Sequence, residues 1–102
     1  MIRIIRFSKS ASTKLENLLY YLEKEWSKKV KADFILKLDN SLLQIQNHPN
    51  SFLASEKING LRKCVVTKQT TIFYKYSDHG IYVVALFDNR QDPGIIKNLS
   101  EI

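Results

Sequence analysis

The sequence predicts an α+β domain: a four-stranded antiparallel sheet with an N-terminal helical hairpin packed on one face, in the order β-α-α-β-β-β. Three observations lead there. Apolar residues recur at three- and four-residue spacing from Ala11 to Ile45, β-branched and aromatic runs lie on both sides of that region, and the last three runs are separated by loops of hairpin length. At 102 residues the chain is one domain, 1–102, because two cores of half that size would bury too little surface to offset the entropy of ordering.

Ile2, Ile4, Ile5 and Phe7, mixed with Arg3 and Arg6, read as the first strand. Ser8, Ser10 and Ser12 each offer a helix cap, and Thr13-Lys14-Leu15-Glu16 fits a capping box. Ala11, Leu15, Leu18, Leu19, Leu22 and Trp26 then form one helical stripe. A second helix follows Ser27-Lys28-Lys29, with Phe34, Ile35, Leu38, Leu42 and Ile45 on one face. It stops at Asn47-His48-Pro49-Asn50, because proline disfavours helix at the residue before it. The short link between the helices makes them an antiparallel hairpin.

Three β-like runs follow: Leu61 to Thr67, Thr70 to Tyr76 and Ile81 to Phe87. Lys68-Gln69 and Ser77-Asp78-His79-Gly80 connect them as hairpin loops. Asp92-Pro93 offers an N-cap and first-turn proline for a short C-terminal helix or turn. The helical hairpin is the available cover for one face of the sheet, with Trp26 and Phe34 expected in the shared core. The other face is left for a partner or a substrate. Alternation groups Arg62, Cys64 and Val66 on one face of their strand and Thr71, Phe73 and Lys75 together on the next. Both sets carry apolar residues, so the sequence leaves open which faces the helices.

Composition excludes several classes. The 25% charged and 11% aromatic fractions are those of a globular fold rather than a disordered chain. The longest apolar run, Ile81 to Phe87, is far short of the roughly 20 residues of a membrane helix. The N-terminus alternates apolar and basic residues instead of forming a secretory h-region, so a cytoplasmic protein without membrane association is expected. The net charge of +6 favours polyanionic or acidic partners, among which nucleic acid, ribosome and an acidic protein fit equally. Lys28, Lys29 and Lys31, the tightest basic cluster, read as a solvated interhelical turn.

His48 and His79 would be the natural acid–base pair near neutral pH. However, His48 closes a helix, where imidazolium meets the helix dipole, and His79 lies in a polar turn. Tyr74, Tyr76 and Tyr82 read as cross-strand packing partners, and Cys64 as a small buried hydrophobe. No carboxylate pattern accompanies the histidines, so neither a metal site nor a cofactor is expected.

Taken together, several segments resemble the RelE/ParE superfamily of type II toxin–antitoxin toxins. They are Phe7-Ser8-Lys9-Ser10-Ala11 after the first strand, His48-Pro49 at the end of the hairpin, Gly60-Leu61-Arg62-Lys63, Thr71-Ile72-Phe73-Tyr74-Lys75, and Leu86-Phe87-Asp88-Asn89-Arg90-Gln91-Asp92-Pro93. The D-x-R-x-D-P ending is most similar to the ParE branch. The resemblance implies one of two activities: cleavage of messenger RNA on the ribosome, as in RelE-like members, or inhibition of DNA gyrase by binding, as in ParE-like members. RNA cleavage through the 2′-hydroxyl needs a proton acceptor, cations for the phosphate and an acid for the leaving oxygen. Arg62 falls near one of the basic positions of the RelE-like site and Arg90 sits where an arginine follows the last strand, which makes these two the catalytic candidates that the resemblance implies. Thr71 stands where a further arginine is expected, and the C-terminal tyrosine position falls near Ile96, with no tyrosine after Tyr82. These departures favour the gyrase inhibitor, neutralised by a cognate antitoxin, over the ribonuclease; a third reading is a non-toxic, antitoxin-binding member. Arg62, Lys63, Lys68, Lys75 and Arg90 are then the target-binding candidates, although Arg90 is equally suited to pair with Asp88 or Asp92. Tyr20 and Tyr21 are candidates for the antitoxin contact.

Overall fold

The computed structural model describes residues 2–56 and 58–90. The elements are β1 (Ile4–Phe7), α1 (Lys9–Glu25), α2 (Lys28–Asn47), a 3-10 turn at Pro49–Ser51, β2 (Arg62–Val65), β3 (Thr70–Tyr76) and β4 (Gly80–Asp88). Asp92-Pro93 and Ile96 lie outside the described residues.

Both helices start at a serine. The Ser8 side chain accepts from the Ala11 N–H at 3.0 Å, and Ser27 accepts from the Val30 N–H at 3.0 Å. Each hydroxyl satisfies an N–H that the first turn leaves without an intrahelical partner. Helix α1 therefore begins ahead of the capping box expected at Thr13.

The strand order is β1-β4-β3-β2, with β1 parallel to β4 and the other pairs antiparallel. The sheet is thus mixed rather than wholly antiparallel. Two hairpins leave β4 pointing the way β2 points, and residues 48–61 bring the chain into β2 at the opposite edge in the same sense as β1. Parallel pairing needs a long crossover, and the helical hairpin supplies it. Strand β2 is shorter than expected because a turn takes over: the Val66 and Thr67 N–H groups both donate to the Thr70 carbonyl, at 2.9 and 3.2 Å.

The ladder between β3 and β4 slips by one residue. Phe73 pairs with Ala85 and Tyr74 with Val83, leaving Val84 as a bulge. The Val84 carbonyl accepts from the Ser8 hydroxyl at 2.7 Å, so one side chain caps α1 and also ties it to the bulge.

The core joins Ala11, Leu18 and Leu22 of α1 and Phe34, Leu38 and Ile45 of α2 to Cys64, Ile72, Tyr74, Ile81, Val83 and Leu86 of the sheet. Cys64 pairs with Ile72 and Arg62 with Tyr74. Arg62 and Cys64 therefore point to the helix side, and Thr71, Phe73 and Lys75 to the open face, which settles the choice that alternation left open. Phe34 is buried as expected. Trp26 is not: it is 61% exposed because α1 ends at Glu25, and its backbone (φ −119°, ψ −85°) turns the ring off the helical stripe.

Candidate functional site

Arg62 and Arg90, the two candidates for chemistry, are both held by neighbours. The Arg62 guanidinium donates to the Phe52 carbonyl and, at 3.5 Å, to that of Asn50, and it lies 5.7 Å from the Tyr76 ring centroid. Arg3 stands 6.0 Å from the same ring and donates to the carbonyls of Ser77 (2.9 Å) and Gln46 (3.0 Å). The Tyr74 hydroxyl donates to the Pro49 carbonyl at 2.6 Å, and Phe52 meets the Tyr74 ring edge-on at 6.2 Å. Burial pushes the Tyr74 phenol up to about 12, outweighing the opposing effect of the Arg62 charge. Arg62 and Tyr74 thus fasten residues 49–52 to the sheet.

Arg90 grips Asp88. Its Nη2 donates to Asp88 Oδ2 at 2.7 Å, its Nε to Oδ1 at 3.0 Å, and its backbone N–H to Oδ1 at 2.9 Å. The Thr70 hydroxyl donates to Oδ2 as well. Burial by itself would raise the Asp88 carboxyl. The hydrogen bonds from Arg90 and Thr70, with the Arg90 charge, outweigh burial and hold the carboxyl below its ordinary range. Of the two carboxylates the sequence offered Arg90, Asp88 is the one it holds; Asp92 lies outside the described residues.

Lys63, Lys68 and Lys75 are exposed. Lys68 sits in the β2–β3 turn, Lys63 lies opposite Phe73 on the open face, and the Lys75 ammonium is 5.4 Å from the Tyr82 ring centroid. The register also brings Arg6 to this face, since Arg6 pairs with Tyr82 and Tyr82 with Lys75. Sequence reasoning overlooked Arg6. Alternation in β1 separates it from Ile5 and Phe7, but its neighbours depend on which strand β1 joins. An open groove of about 420 Å³ beside this row is lined by Ile4, Arg6, Lys75, Tyr76, Ser77, His79, Gly80, Ile81 and Tyr82.

The remaining candidates are separated. His79 is exposed in the β3–β4 turn and His48 is exposed at the end of α2, with neither imidazole on a carboxylate among the described residues. Among the described residues no three His, Cys, Asp or Glu side chains are grouped to hold a metal. Cys64 is buried, and burial raises its thiol pKa against a hydrogen bond with Ser41. Tyr20 is 65% exposed, whereas Tyr21 packs against the core. In the interhelical basic cluster, Lys31 meets Glu23 at 3.4 Å and Lys29 meets Asp33 at 3.6 Å. No helix among the described residues is long and apolar enough to cross a membrane.

A helical hairpin on one face of a four-stranded mixed sheet, in this strand order, is the fold of several solved bacterial toxins. The "Chromosomal ParDE TA system from P. aeruginosa" superposes with a TM-score of 0.68 at 10% identity, covering 85% of this chain and 96% of that one. A toxin from Helicobacter pylori, solved as a copper-bound mutant, gives 0.62 at 15% identity, covering 89% and 98%. The E. coli DinJ-YafQ toxin-antitoxin complex gives 0.60 at 14% identity, covering 89% and 97%. At these identities the likeness is one of fold. No curated protein matches the chain at a significant level by sequence. The family is nonetheless defined: the model for the ParE toxin of the type II toxin-antitoxin system parDE matches residues 5–93, and the chain belongs to that family.

Proposed function

We propose that this toxin inhibits DNA gyrase by binding to it, and that a cognate antitoxin neutralises it. The observation that carries the reading is the fate of the two arginines. RNA cleavage would need cations free to meet a phosphate, yet Arg62 is engaged by the carbonyls of residues 50 and 52 and Arg90 by Asp88. Exposed Lys63, Lys68 and Lys75 suit a binding surface instead, with Arg62 and Arg90 bracing it. Membership in the ParE family supports gyrase as the target.

The antitoxin would lie along the hairpin, where Tyr20, Leu36 and Leu43 expose apolar surface, while its acidic residues meet the basic chain. Tyr21 contributes from beneath, as packing for α1. Purified gyrase should lose supercoiling activity at stoichiometric toxin and recover it when antitoxin is added. Undiminished supercoiling would overturn the reading. Discrete cuts in message held on purified ribosomes, abolished by Arg90→Gln, would establish the ribonuclease instead.

A further inference from the structure

We propose that the β1–β4–β3 end of the open face binds single-stranded nucleic acid, with a base stacked on Tyr82 and the phosphates held by Arg6 and Lys75. The ladder places Arg6, Tyr82 and Lys75 in one row across three strands, so that an aromatic ring stands between two cations. Neighbouring strands lie about 4.8 Å apart, which puts both cations within reach of a nucleotide seated on the ring. Tyr82 is 38% exposed, and the Lys75 ammonium rests 5.4 Å from its centroid. A base taking that place moves the ammonium onto the adjoining phosphate.

Two further observations define the ligand. No carboxylate lines the groove beside the row, and none stands among the described strand residues of this face, so its cations are not neutralised from within. An acidic peptide would satisfy Arg6 and Lys75 but has no use for the ring. A nucleotide uses both, since every base presents a π-face and every linkage a charge. In a duplex the base faces are already stacked on one another and do not reach Tyr82. The inference goes beyond the gyrase reading, with which it shares Lys75; Arg6 and Tyr82 belong to the nucleic-acid site alone.

Fluorescence anisotropy of a labelled short oligouridylate tests it, alongside the matching single-stranded DNA, its duplex and an oligoglutamate competitor. Single strands of RNA or DNA should bind at low salt, and Tyr82→Leu should weaken them about 5- to 150-fold, the loss of one stacked base. Arg6→Gln and Lys75→Gln should each reduce the slope of log affinity against log salt by about 0.7. Lys37→Gln, on the exposed side of α2, should change neither. Wild-type affinity in a folded Tyr82→Leu protein would overturn the proposal. So would duplex binding as tight as single-strand binding, or equal displacement by oligoglutamate, which would assign the row to an acidic protein segment.

Discussion

Arg90→Gln is the substitution that best separates a bracing arginine from one that meets the target. The Asp88 side chain is 1% exposed and that of Arg90 is 20% exposed. Losing the guanidinium strands a buried carboxylate on the Thr70 hydroxyl and one backbone N–H, and breaking a buried pair in this way costs about 3–5 kcal/mol. Asp88→Asn is the milder change. The freed guanidinium can swing into water and the amide oxygen still accepts from Thr70, so the loss is about 1–2 kcal/mol. Against a total stability of about 5–15 kcal/mol either effect is readily measured. Urea unfolding at neutral pH should rank wild type above Asp88→Asn, and Asp88→Asn above Arg90→Gln. The double variant should lose less than the sum of the two. Acid titration adds a second readout. The folded Asp88 pKa lies below its unfolded value of about 3.9, so the stability it adds is complete above that pH and disappears as pH falls through the folded value. Asp88→Asn should remove that component. An Arg90→Gln protein with the wild-type unfolding midpoint and no gyrase inhibition would refute the bracing role and return Arg90 to the contact surface.

Ser8→Ala removes the cap of α1 and the partner of the Val84 bulge together, and should cost about 1–3 kcal/mol in urea unfolding. Tyr74→Phe leaves the Pro49 carbonyl unpaired inside the protein. It should cost about 1–3 kcal/mol, and hydrogen exchange should quicken in residues 49–54 before the rest of the fold. Phe34→Ala should cost about 3–5 kcal/mol by opening a cavity, whereas Trp26→Ser should stay within about 0.5 kcal/mol because the ring stands in solvent.

Much of this molecule is legible residue by residue. The helical stripes, the proline stop at residue 49 and the two hairpin turns all arise within a few residues, where hydrogen-bond geometry and side-chain period act directly; the structure then chose Ser8 among three serines and Asp88 between the two carboxylates offered to Arg90. The capping box at Thr13 misled because Ser8, also a good cap, has the Val84 carbonyl as a second partner far along the chain. Trp26 misled because the stripe continues in sequence one residue past the end of the helix.

What the chain alone determined, then, is which segments become helix or strand and which family they belong to. The tertiary structure decided the rest: that β1 joins β4 in parallel, that Arg62 faces the helices, and that Arg6, Tyr82 and Lys75 share a row. The reason lies in the backbone ladder. Any extended segment can donate and accept the same hydrogen bonds, so neighbours in a sheet are selected by how the crossover packs and by which apolar face must be buried. Those are properties of the whole fold.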